Sequence, residues 1–352
     1  MKKLLLLLSL CAFNGIFAQD VLFTEDCTAL TVGNIGTDLT GATAGQHNWY
    51  TYVGLSGANS DFQIANVSGT NGNVIQITGA NTNASTTSPT NTKYLSQDLS
   101  SAWTNRTSGN DIVQVAFDFY TGPVTTSANT MRVFIYDATG GVILTGIKIT
   151  MNTLVINGVA NFDPTSVGGT GAVGNYTFYL GASSTNVTLS PNTWYRFGMS
   201  YDYNTGKATW REINNGLFNG YVTGAAPGTD VSELDLVAAA GTTNAVSAIG
   251  TFDNILVNAS ATDTLLSTKS NTLVENNISV YPNPSRDLIN ISNDGTSINT
   301  IEMTDLNGRV VKIVNVADSS NLQVNISDLS VGVYMMKIVS DKGTTTKKVI
   351  KE

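Results

Sequence analysis

The sequence predicts an all-β protein of two antiparallel sandwiches, a large one of about 240 residues followed by a small seven-stranded one. Three observations predict it. Charged residues make up only 12% of the 352, about half the usual share. Thr, Ser, Asn and Gly fill the deficit; the short polar side chains compete with a helix for backbone hydrogen bonds, and glycine loses too much freedom in one. Second, no stretch of useful length carries a helical apolar period, whereas short alternating apolar runs recur throughout. Third, 33 Gly against 7 Pro supplies turns built on glycine and asparagine. Apolar residues reach 41%, enough for real cores in two modest domains.

Residues 1–19 read as a secretory signal peptide. Lys2 and Lys3 form the charged start, Leu4 to Leu8 and Leu10 to Phe13 the apolar run, and Ala18 the small residue before a cut that leaves Gln19 as the new terminus. The apolar run is too short for a permanent anchor. Leu10, not a small residue, precedes Cys11, which argues against lipidation. No later segment approaches a spanning length, so no transmembrane anchor is expected.

Residues 20–259 form the body. Its clearest strands are Asp111 to Tyr120, Met131 to Tyr136, Val142 to Ile149, Trp194 to Tyr203, Lys207 to Ile213 and Thr251 to Val257. Gly140-Gly141 and Asn204-Thr205-Gly206 join neighbours as hairpins. Residues 260–276, rich in Thr, Ser and Asn, read as a linker. In residues 277–352 apolar runs start at Ile278, Leu288, Ile298, Val310, Leu322, Val333 and Thr344, with Asn307-Gly308 and Lys342-Gly343 as turns. Seven strands in so short a span are the pattern of a small immunoglobulin-like sandwich.

Charge is uneven. Between Asp20 and Ser267 there are 7 basic and 17 acidic residues; from Thr268 onward there are 9 of each. An acidic body is a poor match for nucleic acid or an anionic membrane surface. It is compatible with cations such as Ca²⁺, although solubility alone explains the excess. Cys11 and Cys27 are the only cysteines; once the leader is removed, no intrachain disulfide can form.

Four motifs in order carry a resemblance. Tyr281-Pro282-Asn283-Pro284, then Asp305-Leu306-Asn307-Gly308-Arg309-Val310-Val311, then Leu329-Ser330-Val331-Gly332-Val333-Tyr334, then Lys347-Lys348-Val349-Ile350-Lys351 resemble the type A C-terminal sorting domain of the type IX secretion system, a family of the Bacteroidetes. The resemblance implies a partner, the outer-membrane type IX translocon, and a route through the periplasm to the exterior or the outer-membrane surface. In the family the tail is commonly removed and the cargo is released or attached to lipopolysaccharide. Pro282 and Pro284 cannot donate to a ladder, so they are expected to blunt a sheet edge. Gly308 and Gly332 are expected at positive φ. Lys347, Lys348 and Lys351 are expected either to contact an acidic translocon or to guard an edge. In the linker, Asp263-Thr264-Leu265 resembles the Bacteroidetes O-glycosylation tripeptide.

A second resemblance covers the body. Asn192 to Asp202, opening on Thr193-Trp194-Tyr195, then Thr205 to Trp210, is similar to a hairpin of concanavalin A-like and laminin-G-like jelly rolls. Phe252 to Val257 resembles their closing strand, and Leu22 to Asp26 their first. The resemblance implies a jelly-roll sandwich whose first and last strands are neighbours and whose acids there hold a structural Ca²⁺. Glu25, Asp26 and Asp253 are the candidates, with Asn254 and carbonyls completing the six to eight oxygens. The alternative is that Asp253 caps a turn and Glu25 is solvated.

Chemistry is sparse. His47 is the only histidine, which excludes His-cluster metal sites. No Gly-x-Ser-x-Gly elbow accompanies it. A Cys27–His47 nucleophile pair is conceivable, against a plain buried thiol. Glycosidases need two carboxylates facing one bond. No Glu-x-Asp-x-x-Glu strand occurs; Asp230 to Asp235 alternates acids in the wrong order, and Arg211-Glu212 lacks partners for a lyase. The Gly168-Gly169-Thr170-Gly171 run lies between strands and is no phosphate loop. Sugars stack their C–H faces on aromatic rings. Trp103, in a loop-like context beside Asn105 and Arg106, is the leading glycan candidate; Trp49 and Tyr50 follow. Asp61 and His47 offer further polar contacts, and Trp194 and Trp210 read as core. The expected role is a secreted or surface protein, lectin-like, binding glycans or mediating adhesion without catalysis. The alternatives are a polysaccharide hydrolase or lyase with an unfamiliar site, and a structural surface protein with no ligand.

Overall fold

The structure, a computed structural model, describes residues 19–67, 72–82, 91–241, 244–266, 278–293, 298–305, 309–316, 321–340 and 343–352. The signal peptide, apart from its last residue, lies outside the described residues, as do residues 267–276 of the linker and Gly308. The chain divides into two compact units, Met1–Ser267 and Thr268–Glu352.

The first unit contains β1 (Asp20–Glu25), β2 (Gly33–Asn34), β3 (Tyr50–Val53), β4 (Phe62–Asn66), β5 (Asn73–Thr78), β6 (Thr92–Asp98), β7 (Ile112–Tyr120), β8 (Thr130–Tyr136) and β9 (Ile143–Thr150). There follow β10 (Val155–Phe162), β11 (Gly174–Tyr179), β12 (Val187–Thr188), β13 (Trp194–Asp202), β14 (Lys207–Glu212), β15 (Asn219–Val222), β16 (Glu233–Ala239) and β17 (Ile249–Ser260). Among the described residues they form two antiparallel sheets. The first has the order β15-β14-β13-β7-β17-β5-β4-β2, with β1 also on β17; the second has the order β11-β10-β9-β8-β16-β6-β3, with β12 on β10. This is the jelly-roll sandwich that the sequence predicts. The first and last strands are neighbours, since β1 pairs with the second half of the twelve-residue β17.

Alternation builds the core. Val113, Val115, Phe117 and Phe119 of β7 and Phe197, Met199 and Tyr201 of β13 point inward from the first sheet. Val133 and Ile135 of β8, Ile147 and Ile149 of β9, and Leu234 and Leu236 of β16 meet them from the second. Each such side chain contributes about 1.5–3 kcal/mol by leaving water. Trp210 of β14 lies against Gly158 of β10, where a Cβ would stand 2.4 Å from the ring, and stacks on Phe178. The glycine lets the two sheets close on a tryptophan.

The linker starts later than expected. Ser260 still belongs to β17, and residues 261–266 dock on the outward face of the first sheet. That face is polar and offers matching groups. Ser200 and Thr209 donate to the Asp263 carboxylate, and Thr264 and Leu265 donate to Gln114 Oε1. Arg211 donates to the Leu265 carbonyl. The Thr264 hydroxyl is therefore engaged, so the tripeptide 263–265 is not the free segment its composition suggests.

The second unit contains β18 (Ile278–Tyr281), β19 (Leu288–Asn293), β20 (Ile298–Asp305), β21 (Val310–Asn315), β22 (Asn321–Asn325), β23 (Gly332–Ser340) and β24 (Gly343–Lys351). They pair as β18-β19-β22 and β21-β20-β23-β24. Ile289, Ile291, Ile301, Met303, Val324, Met336, Ile338 and Val349 fill the space between the sheets. This is the predicted small immunoglobulin-like sandwich.

Candidate functional site

The structure brings Trp103, Asn105 and Arg106 together, but as a plug rather than a platform. Trp103 sits on a short helix, α1 (Ser100–Thr104), and is 1% exposed. Its Nε1 donates to Asp230, and the Arg106 guanidinium lies 3.7 Å above its ring. Arg106 is itself paired with Asp111, and Asn105 donates to the Ser101 carbonyl. No ring face is left for a sugar. The loop-like composition around Trp103 hid this helix. Trp49 is fully buried, with Phe23 against its face edge-on at 5.4 Å. Tyr50 is the next residue on the chain and so points to the opposite, outward face.

The acids proposed for Ca²⁺ are engaged separately. Glu25, 3% exposed, accepts from the Cys27 amide at 2.8 Å, pairs with His47 Nδ1 at 2.6 Å and lies 3.4 Å from Trp49 Nε1. It is thus neither solvated nor shared with Asp253. Asp26 accepts from the Thr28 amide and hydroxyl. Asp253 accepts from the Asn254 amide at a bulge in the β17–β7 pairing. Burial pushes its carboxyl up to about 7, and the Asp118 and Asp26 carboxylates add to the rise. Among the described residues no three His, Cys, Asp or Glu side chains are placed to hold a metal. Burial also pushes the Cys27 thiol up, followed by the Glu25 carboxylate, which disfavours the thiolate a Cys27–His47 pair would need.

The structure also assembles a surface that the sequence reading missed. On the outward face of the second sheet, cross-strand partners line up in rows. One row runs Tyr52, Tyr94, Val237, Arg132, Lys148, Asn157 and Tyr179, across β3, β6, β16, β8, β9, β10 and β11. The next runs Tyr50, Ser96, Asp235, Phe134, Gly146, Val159 and Thr177 across the same strands. Beside it lie Glu233 and Tyr136. Phe134, Ile143 and Val159 form an apolar cluster of their own here, separate from the main core, with Tyr136 packed on it. The Phe134 ring occupies the space above Gly146, where a Cβ would come within 2.2 Å of it. Tyr52 and Tyr94 lie 4.8 Å apart at 32°. At the far end, Tyr179 borders a pocket of about 330 Å³ shared with Trp210, Asn219 and Tyr221.

Polar groups on this face carry the marks of desolvation. Burial holds the Asp235 carboxyl well above the usual carboxylate range, and neighbouring Glu233 raises it further. Asp235 Oδ1 is buried with no hydrogen-bond partner. Tyr94 is pushed up to about 12 by burial, then by Asp235 and Glu233. The face can therefore offer aromatic stacking and, at Asp235, a carboxyl whose pKa is raised and whose Oδ1 has no partner. The alternation of Glu233 and Asp235 around Leu234 was the one local signal of it.

In the tail the segment 281–284 meets β24, the strand that carries Lys347 and Lys348. Tyr281, Pro282, Asn283 and Pro284 are exposed, and Asn283 stitches to β24: its Nδ2 donates to the Lys348 carbonyl at 2.7 Å and its Oδ1 accepts from the Ile350 amide at 2.8 Å. Ser285 continues the contact through its amide to the Ile350 carbonyl. Lys348 is exposed and Lys347 half-buried. Lys351, in contrast to the expected contact surface, is 8% exposed, with its amine on the Glu352 carbonyl. Tyr334 is core, its hydroxyl on the Ser330 carbonyl. Gly332 opens β23 outside the left-handed region, so the positive φ expected of it is not found.

The secretion system C-terminal sorting domain family matches residues 279–352. No curated protein sequence matches the chain. Among solved structures, a sialidase is similar at 10% identity and TM-score 0.39, over 68% of this chain and 19% of its own. The chain thus spans about a fifth of that protein. A CBM2 module of the evolved Dit of Lactobacillus casei BL23 phage J-1 is similar at 11% identity and TM-score 0.40, over 70% of this chain and 97% of its own. The alginate lyase from Klebsiella pneumoniae is similar at 10% identity and TM-score 0.39, over 57% and 84%. No helix among the described residues is long and apolar enough to cross a membrane. Residues 279–352 are the C-terminal sorting domain of a type IX secretion cargo, and the cargo they follow is a jelly-roll sandwich.

Proposed function

We propose that the chain is an exported glycan-binding protein, and that the outward face of its second sheet is the binding surface. The observation that carries this reading is the row from Tyr52 to Tyr179. It crosses seven strands, begins and ends on tyrosine, and places side-chain hydrogen-bonding groups between. A sugar chain laid along it would stack its apolar faces on Tyr52, Tyr94 and Tyr179 while Ser96 and Thr177 meet its hydroxyls; Asn157 and Asp235, each 6% exposed, lie beneath. The leader carries the chain to the periplasm and the tail delivers it outside. Screening the exported chain on a glycan array tests the reading. Retention of a polysaccharide, reduced at least tenfold in a Tyr52→Ala/Tyr94→Ala variant that still melts cooperatively, is the expected result. Retention unaffected by that variant contradicts the assignment of the face.

One observation favours a second reading, a polysaccharide hydrolase. Glu233 and Asp235 share a face of β16, and burial, then Glu233, raises the Asp235 carboxyl above the usual carboxylate range, the direction a general acid needs. Release of reducing ends from a retained polysaccharide, abolished by Glu233→Gln, supports it; binding without release supports the first reading.

A further inference from the structure

Cations in the body have ample choice of partner, with 17 acidic residues to 7 basic between Asp20 and Ser267. Three of the seven take a carboxylate: Lys93 with Asp61 at 2.8 Å, Arg106 with Asp111 at 2.7 Å and Arg196 with Asp118 at 2.9 Å. Arg211 donates to the Leu265 carbonyl, and Lys207 lies 5.0 Å over the Tyr221 ring. The other two, Arg132 and Lys148, stand directly opposite each other on β8 and β9, in the centre of the outward face. Neither forms an ion pair among the described residues. Arg132 donates through Nε to Thr130 Oγ1 at 2.8 Å, and Lys148 through Nζ to Thr177 Oγ1 at 3.2 Å.

Like charges directly opposed across a ladder destabilise a sheet, and partial burial sharpens the cost. Both groups register the burial, and Lys148 the opposed charge as well. Burial lowers the Arg132 pKa; burial and then Arg132 lower that of Lys148. Their row neighbours, Val237 and Asn157, are neutral. The carboxylates on the same face, Asp98, Glu233 and Asp235, lie further along β6 and β16, and among the described residues none pairs with Arg132 or Lys148. Arg132 also lies 5.9 Å over the Phe134 ring, but among the described residues no carboxylate neutralises either cation of the pair.

We infer that Arg132 and Lys148 form an anion-recognition point, and that the ligand of the face is an acidic polysaccharide bearing carboxylate or sulfate groups. The inference rests on the glycan-binding reading of this face. Arg132 supplies a planar fork suited to a carboxylate or sulfate, and Lys148 a second, mobile charge. Tyrosines on either side in the same row hold the sugar rings flanking the charged one.

The test is binding of the full exported chain to immobilised polymers in charged and uncharged pairs. Polygalacturonate is compared with its methyl ester, and a sulfated galactan with its desulfated form. Retention by one charged polymer, at least tenfold weaker for its uncharged counterpart, is the expected result, and the pair that responds identifies carboxylate or sulfate. Arg132→Gln and Lys148→Gln should each weaken retention about tenfold and flatten its salt dependence. The double variant should melt at the same or a higher temperature, because a repulsion has been removed. Equal retention of charged and uncharged polymers, unchanged by these variants, overturns the anion site while leaving the glycan face standing. Retention of no polymer overturns both. A double variant that melts lower and binds as before shows the pair to be structural and also overturns the inference.

Discussion

Asp253 shows how one half-buried group adds to the pH response of the body. In the unfolded chain it titrates near 3.8; in the folded chain burial, then the Asp118 and Asp26 carboxylates, bring it to about 7. The folded state holds the proton more tightly. Its contribution to stability is complete below pH 4 and is lost as pH rises through 7. Replacing it by a neutral isostere removes that loss. Asp253→Asn should raise the melting temperature at pH 8 by an amount equivalent to on the order of 1–2 kcal/mol, discounted for partial contact with water. The gain should shrink to nothing by pH 4; melting curves across that range check it. Gly146 makes a second residue-scale case. A Cβ there would meet the Phe134 ring at 2.2 Å, so Gly146→Ala should cost about 1–3 kcal/mol and weaken polysaccharide retention by displacing Phe134. Sequence reasoning found the right residue types but not their sides. Trp49 and Tyr50 were paired as neighbours, yet adjacent strand residues face opposite ways, and only Tyr50 reaches the platform. Trp103 looked like a loop residue because one helical turn leaves no periodic trace.

At the scale of elements, local signals read well and long-range ones did not. The seven tail strands were legible because each combines an alternating apolar run with a turn residue beside it, as with Leu322, Val324 and Ile326 of β22 and the chain just beyond. The docked segment 261–266 was misread as linker because Thr and Asp suit solvent and a polar sheet face equally well. The rows of the second sheet were invisible for a stronger reason. Their partners, such as Tyr94 and Val237, are far apart in sequence, and register is fixed by the assembled sheet. Between Pro282 and Pro284, expected to blunt an edge by themselves, it is Asn283 that satisfies two backbone groups of β24. Asn283→Ala should therefore destabilise the tail by about 1–2 kcal/mol and lower the fraction of chain outside the cell, as fractionation and melting of the full chain would show. Normal export with an unchanged melting temperature would count against that stitching role.

At the scale of the molecule, the two units divide the work as their charges do: an acidic sandwich carries the candidate site and a neutral one carries the address. Removing residues 279–352 should leave the remaining chain inside the cell envelope, and cell fractionation reads this directly; its appearance in the medium at normal levels would contradict the routing role of the tail. The functional claim depends on a different surface. Amide hydrogen exchange of the full chain with and without saturating polygalacturonate tests it most directly. Slower exchange concentrated in β3, β6, β8 and β9 is expected if the outward face of the second sheet holds the polymer. Protection confined to the first sheet, or to the loop around Trp103, would contradict the account.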